Sequence, residues 1–153
     1  MSAEKVEAYQ RCKERIFALC MGENDEIAKM ASVSCVLSHE MEGFFWTGFY
    51  RMVEDELVVG PYQGPVGCLR IQVGKGVCGM AAQTGETQVV EDVHAFPGHI
   101  ACDARSQSEI VVPVNNGAGE LIGVLDVDSE TRGHFDEVDR EELEELVERV
   151  FAG

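Results

Sequence analysis

A chain of 153 residues in which 45% of the side chains are apolar is long enough to bury one substantial core. The formal net charge of −16 argues against partners that are bound through basic surfaces, so neither nucleic acid nor an anionic membrane is expected. The charged N-terminus contains no apolar run long enough for a signal peptide or a membrane span, which predicts a cytoplasmic protein.

Residues 3–42 are predicted to form two helices, because apolar side chains recur there at helical spacing. The first helix ends at Gly22, where glycine can adopt the left-handed conformation that closes a helix. The second begins after Asn24 or Asp25, either of which can cap it, and ends near Gly43. The apolar positions of the two helices are Val6, Tyr9, Ile16, Phe17, Cys20, Ile27, Met30, Ala31, Cys35, Leu37 and Met41.

The chain then changes to the aromatic, β-branched and alternating pattern that is typical of strands. Two hairpins are predicted, the first turning at the polar pair Glu54-Asp55 and the second across the NNGAG segment of residues 115–119. A long loop, residues 91–107, precedes the second hairpin. The predicted strands are 44–53, 56–62, 68–73, 87–90, 109–114 and 120–128, with a short helix at 77–84.

Helices on both sides of hairpin-connected strands indicate an α+β fold. Asp136 and Asp139 are spaced like a capping box at the start of the last helix. We therefore expect a single domain, residues 1–153, with a mostly antiparallel sheet of about six strands. Its parts are a helical N-terminal segment at about 3–42, the sheet and site at 44–128, and a C-terminal helix at about 136–152.

Two short motifs have the spacing of cofactor or metal sites. Residues 74–79, GKGVCG, fit G-x-G-x-x-G, but the helix after them is too short for a dinucleotide-binding fold. The alternative is a turn whose backbone amides lie close to a small ligand. His94, His99 and Cys102 form an H-x4-H-x2-C set with Cys68 as a distant fourth ligand. Because that spacing matches none of the common zinc patterns, no metal is expected.

Three acidic residues fall in otherwise apolar strands. Asp126 and Asp128 lie two residues apart and therefore share one face of a strand, and Glu109 begins the partner strand. They are either charges at strand ends or the lining of a pocket, where they would bind an ammonium group or hold one carboxyl protonated as an acid. Trp46 and Tyr50 are either core residues or the wall of a small apolar pocket.

Reduced thiols are expected in a chain that can fold without disulfide staples. Cys102 lies in a polar loop, HIACDARSQS, where His99 and Arg105 favour a thiolate and Asp103 opposes it. A purely structural role for this cysteine is an equal alternative on spacing alone. Three further cysteines lie in helical patterns and are expected to be small buried hydrophobes: Cys12, Cys20 and Cys35.

Several long segments carry a resemblance to a known family, and they occur in the same order: WTGFY, VGPYQG, GCLRI, GKGVCG, EDVHAFPGHIACDARSQSEIVVPV and GVLDVDS. They closely resemble the free methionine-(R)-sulfoxide reductases, which are built on a GAF domain. The resemblance extends from about residue 43 to the final helix, and it implies a GAF fold and the reduction of free L-methionine-(R)-sulfoxide to L-methionine.

The resemblance also implies roles for the three cysteines of the middle segment. Cys102, in the HIACD motif, corresponds to the nucleophile, which becomes a sulfenic acid as methionine leaves. Cys68 corresponds to the resolving cysteine, which closes an intramolecular disulfide, and Cys78 to a cysteine that takes part in resolution or recycling. Thioredoxin or another dithiol would then regenerate the thiols, without a tightly bound cofactor.

Substrate binding is implied at the positions that match the family. Glu109, Asp126 and Asp128 would hold the substrate ammonium and the polarised sulfoxide, and Trp46 and Tyr50 would pack against the S-methyl end. Relatives tend to be dimers, which implies a homodimer.

GAF domains also serve as regulatory modules, so the alternative is a small-ligand-binding or redox-sensing GAF module without turnover. The segment HFDEVD resembles part of a motif of cyclic-nucleotide-binding GAF domains, but it lacks the lysine of that motif. The three middle cysteines favour the reductase.

Overall fold

The centre of the molecule is a six-stranded sheet in the order β3-β2-β1-β6-β5-β4, in which all neighbouring strands are antiparallel. The computed structural model describes residues 2–100 and 102–153. The helices are α1 (Ser2–Cys20), α2 (Glu26–Glu40), α3 (Gly76–Thr84) and α4 (Glu137–Val147), and the strands are β1 (Trp46–Val53), β2 (Glu56–Gln63), β3 (Arg70–Gln72), β4 (Gln88–Val90), β5 (Ser108–Asn115) and β6 (Leu121–Ser129).

The α+β class and the antiparallel sheet of six strands are confirmed. The third strand is shorter than predicted: it consists of Arg70, Ile71 and Gln72, and Cys68 lies in the segment before it. The final helix changes to a π-helical turn at Glu148–Ala152. None of the helices in the described part of the chain is both long and apolar enough to cross a membrane.

Each central strand is buried on both faces, and alternation of side chains sorts its residues between two apolar clusters. On one face, Phe49, Ile110 and Leu125 pack with residues of α1, α2 and α4. On the other face, Tyr50 and Val111 pack against α3. The candidate site lies on this second face, which only a short helix and loops cover.

The helical expectations hold in part. The capping box of α4 is present, with Asp136 and Asp139 each accepting a hydrogen bond from the other's backbone N–H. Cys12 is buried as expected, but Cys20 is only half-buried and Cys35 is exposed, so the expectation of small buried hydrophobes is wrong for Cys35. The reason is its position on α2, where neighbouring residues such as Val36 and Leu37 face the core and Cys35 faces outward.

Asp139 joins the beginning of α1 to the beginning of α4. Its fully buried carboxylate accepts hydrogen bonds from Lys5 Nζ at 2.7 Å, Tyr9 OH at 2.5 Å and the Asp136 backbone N–H at 2.9 Å. Burial and the Asp139 charge raise the pKa of Tyr9, which therefore remains a hydrogen-bond donor. A single side chain thus satisfies three donors from two distant parts of the sequence.

The change Asp139→Ala is expected to reduce the free energy of unfolding by about 3 kcal/mol, because it leaves the buried Tyr9 hydroxyl without its acceptor and removes the ion pair with Lys5. Urea denaturation at neutral pH measures the loss. Glu137→Ala is the matched control: its exposed carboxylate lies in the same helical turn, 3.8 Å from Arg140, and should cost less than about 1 kcal/mol. Equal losses for the two variants would contradict a structural role of the buried network.

Candidate functional site

A cavity on the second face of the sheet is enclosed by parts of the chain that are distant in sequence. Its floor is formed by β1, β5 and β6, one wall by the beginning of α3, and its rim by two loop segments. The first rim segment is residues 65–69, which carries Cys68 and lines the cavity with Val66 and Gly67, and the second is residues 99–100 and 102–106, which carries Cys102. The cavity therefore contains residues from almost every part of the predicted site.

The three acidic residues lie together on the floor. Glu109 of β5 is directly opposite Asp128 of β6, and Asp126 lies two residues earlier on the same face of β6. Glu109 is 7% exposed and Asp126 is 4% exposed, whereas Asp128 is half-buried. These values contradict the alternative of solvated charges at strand ends and agree with the pocket interpretation.

Burial raises the pKa of all three carboxyls well above the ordinary values, and repulsion among the carboxylates raises it further. Among the described residues, no lysine or arginine forms an ion pair with any of them. Asp126 Oδ1 is buried and accepts no hydrogen bond. Such a cluster is suited to a cationic ligand, or to a carboxyl that keeps its proton and donates it.

The thiol of Cys78 extends from α3 toward the same carboxyls. It is buried and lies 3.9 Å from Glu109 Oε2, to which it can donate. Burial and the neighbouring carboxylates raise its pKa well above that of an ordinary thiol, so the protonated form is favoured.

Cys78, Glu109 and Asp126 each place a potential ligand atom within 4.8 Å of the other two. Among the described residues, this is the group whose ligand atoms lie close enough together to hold a metal ion. The potential ligand atoms of His94, His99 and Cys102, the set that the sequence suggested, do not come this close together. Burial and the neighbouring carboxylates raise the pKa of each member of this group.

Cys68 and Cys102 form a disulfide across the rim of the cavity, with their Cα atoms 5.4 Å apart and 34 residues between them in sequence. Cys102 is exposed and Cys68 is half-buried. Cys78 remains a free thiol. Of the two candidates for pairing with Cys102, the structure therefore pairs Cys68.

The two charged residues that follow Cys102 pair with each other. Arg105 binds the carboxylate of Asp103 through two nitrogens, Nε at 3.0 Å and Nη2 at 2.8 Å, and these hydrogen bonds lower the pKa of Asp103 to about 2. The guanidinium of Arg105 also lies over the ring of Phe45, 4.9 Å from its centroid. The two charges therefore form a local pair close to Cys102 in the sequence.

Aromatic rings form the wall beside the carboxyls. Trp46 stacks between Tyr50 and Tyr62, with centroid distances of 5.6 and 4.9 Å, and its indole Nε1 donates to the Pro65 carbonyl at 2.9 Å. A Cβ atom at Gly67 would lie 2.9 Å from the indole, so only glycine lets the Cys68 segment approach this closely. The pocket-wall interpretation of Trp46 and Tyr50 agrees with this arrangement, and both rings are nearly fully buried.

His99 is a residue of the site that the sequence did not single out as a lining residue. It lines the cavity, and its Nδ1 is buried with no hydrogen-bond partner among residues 2–100 and 102–153. Burial, together with the nearby His94 ring at 6.2 Å, lowers the pKa of His99 and favours the neutral imidazole. Its position three residues before Cys102 was the available signal, and the sequence indicated it only as a candidate metal ligand and as a neighbour of the Cys102 thiol.

A family model and a similar enzyme both relate this chain to the GAF-domain proteins. The family model of the GAF domain matches residues 27–150. The free methionine-R-sulfoxide reductase of Escherichia coli is 45% identical over 148 residues, which cover 95% of this chain and 88% of that protein.

Two solved structures are also similar. The free methionine-R-sulfoxide reductase of Neisseria meningitidis in complex with its substrate is 46% identical, with a TM-score of 0.88, and covers 93% of this chain and 85% of its own. A Burkholderia vietnamiensis protein described as a GAF sensor is 53% identical, with a TM-score of 0.90, over 97% of this chain and 93% of its own.

Proposed function

The chain belongs to the family of free methionine-(R)-sulfoxide reductases, which are oxidoreductases built on a GAF domain, and we propose that it reduces free L-methionine-(R)-sulfoxide to L-methionine. The observation that carries the proposal is the position of the Cys68–Cys102 disulfide at the rim of a cavity whose floor holds three buried carboxyls. The two cysteines can supply the electrons for a reduction, and the carboxyls can bind the ammonium group of an amino acid.

The substrate would bind through both of its charged groups. Its ammonium group would pair with Glu109, Asp126 and Asp128, which have no cationic partner in the described part of the chain. Its carboxylate would accept hydrogen bonds at the beginning of α3, where helix geometry leaves the first N–H groups without intrahelical acceptors. A peptide-bound methionine lacks these charges, so specificity for the free amino acid follows.

The side chain of the substrate would extend along Trp46 and Tyr50, which offer an apolar surface to the S-methyl group. This placement would bring the sulfoxide sulfur to Cys102 at the rim. Because the three points of attachment fix the substrate, only one epimer can direct its sulfur toward the thiol and its oxygen toward a carboxyl. The R epimer is the one that the family name specifies.

The proposed reaction uses Cys102 as the nucleophile. Its sulfur attacks the sulfoxide sulfur, a protonated carboxyl of the floor donates to the oxygen, and methionine leaves as the hydroxyl becomes part of a Cys102 sulfenic acid. The thiol of Cys68 then attacks the Cys102 sulfur and water leaves, which forms the disulfide. Two thiols are oxidised and one sulfoxide is reduced, so atoms and electrons balance.

Recycling would require two electrons from outside, supplied by thioredoxin or another dithiol, and no tightly bound cofactor. Cys78, a free thiol that lines the cavity, would take part in resolution or recycling. We further propose that residues 1–153 act as one domain, in the cytoplasm, and as a homodimer. The alternative is a GAF module that senses redox state or a small ligand with the same cysteines and without turnover.

The test is dithiothreitol-driven reduction of the separated epimers, both as free methionine sulfoxide and as its N-acetyl amide. We expect the free R epimer to be reduced at least about 10²-fold faster than the other three compounds, because each of them lacks a charge or presents the wrong geometry. Cys35→Ser removes an exposed thiol outside the cavity and should leave the rate unchanged. Failure of the reduced protein to act on either free epimer would overturn the reductase and favour the sensing module.

A further inference from the structure

Three exposed apolar side chains flank the disulfide. Val66 is 78% exposed and Leu69 is 73% exposed, on either side of Cys68 in the first rim segment, and Ile100 is 39% exposed in the second. The disulfide joins the two segments, Val66 and Ile100 line the same cavity, and Leu69 directly follows Cys68; we call these three side chains the rim patch. Single exposed apolar residues are common on protein surfaces, but a group of them beside a reactive bond indicates a binding site.

The rim patch is held in place by the surrounding structure. The Leu69 carbonyl accepts from the Val59 backbone N–H at 2.9 Å, which fixes this residue to β2 while its side chain faces solvent. Ile100 lies over the first residue of α3, since a Cβ atom added at Gly76 would be 3.2 Å from the Ile100 side chain. A surface that is already fixed loses little conformational entropy when a partner covers it.

On the basis of the proposed function, we propose that the rim patch is the docking surface for a protein dithiol, a small oxidoreductase that presents a Cys-X-X-Cys pair on an apolar face. A partner thiolate attacks one sulfur of the Cys68–Cys102 disulfide, the S–S bond breaks, and the released thiolate takes a proton. The second partner thiol then attacks the mixed disulfide, so the partner is oxidised and both cysteines are reduced.

Geometry requires that such a partner contact the rim patch. Thiol–disulfide exchange brings the attacking sulfur into bonding contact with the disulfide, so a protein that carries this sulfur must cover the residues beside it. Redox encounters bury small interfaces, in which a few apolar contacts carry much of the affinity. A small charged thiol such as glutathione gains little from these side chains, so a protein dithiol is the better match to an apolar rim.

The experiment measures reduction of the purified, oxidised protein by reduced thioredoxin and, separately, by dithiothreitol, in the absence of methionine sulfoxide. For Leu69→Ser and Leu69→Lys we expect the second-order rate constant with thioredoxin to fall about tenfold, with the dithiothreitol rate unchanged. Leu69 is exposed and does not line the cavity, so neither change should disturb the fold. Leu19→Ser is the control, an apolar side chain of α1 that is 57% exposed.

Unchanged thioredoxin rates in both Leu69 variants would overturn the proposal, as would an equal loss of the thioredoxin and dithiothreitol rates or an equal loss in Leu19→Ser. Because no substrate is present, this result is independent of turnover. A protein that fails to reduce methionine sulfoxide but shows the selective loss would contradict the proposed reductase and leave the docking surface supported.

Discussion

Replacing Cys102 by serine is expected to abolish the reduction of free methionine-(R)-sulfoxide, with a loss on the order of 10³-fold or more in the dithiothreitol-driven rate. A serine hydroxyl does not ionise near neutral pH and cannot expel methionine from a sulfoxide sulfur. The rate of methionine formation, measured by chromatography, tests this expectation. Cys35→Ser provides the matched control, because Cys35 is an exposed thiol of α2 far from the cavity in sequence.

Cys68→Ser should behave differently, and the difference shows which of the two cysteines attacks the substrate. The disulfide establishes which two sulfurs pair, but it does not say which of them attacked the substrate. With Cys102 as nucleophile, Cys68→Ser still forms one methionine per chain in the absence of a reductant, and a sulfenic acid accumulates on Cys102. If Cys102→Ser gives this single turnover and Cys68→Ser gives none, the two roles are reversed.

The sheet and the acidic floor follow from local sequence patterns. Alternation fixes which side chains share a face, so Asp126 and Asp128 could be placed together without knowledge of the rest of the fold. Antiparallel pairing across the NNGAG turn then places Glu109 directly opposite Asp128. Both steps depend on residues within one hairpin, and sequence patterns predict structure well over such short separations.

The rim of the cavity depends on long-range contacts that no local pattern encodes. The residues alone gave no basis for pairing Cys68 with Cys102 across 34 residues; that pairing came from the family resemblance, and the structure agrees with it. The hydrogen bonds that Arg105 donates to Asp103 and the contribution of His99 to the cavity depend on loop conformation. The exposure of Cys35 depends on how α2 is rotated against the sheet, and an interrupted apolar pattern does not fix that rotation.

The change Asp126→Asn is expected to lower kcat/KM for the free R epimer about 10²-fold, because it removes one carboxylate from the proposed ammonium site while it preserves the shape of the side chain. Steady-state kinetics at saturating dithiothreitol measure the loss. Glu141→Gln, an exposed change on α4, removes the same charge from the protein and should leave kcat/KM unaltered. Equal kinetics for the two variants would place the ammonium group elsewhere.

The same variant should stabilise the substrate-free protein, and the effect should depend on pH. Burial and mutual repulsion raise the pKa of Glu109, Asp126 and Asp128 above the value of about 4 that unfolded carboxyls have. The folded protein therefore retains protons that the unfolded chain releases, and stability falls as the pH rises from about 4 toward the folded pKa values. At low pH both states are protonated, so this penalty is absent.

Removing one of these carboxyls reduces that penalty. Urea denaturation should find Asp126→Asn about 1–3 kcal/mol more stable than the parent protein near pH 8, with a smaller difference near pH 5. Added L-methionine should stabilise the parent protein increasingly as the pH rises, because its ammonium group pairs with the ionised carboxyls. A variant that is less stable than the parent at high pH would mean that Asp126 supports the fold, and the cluster would then be structural rather than a ligand site.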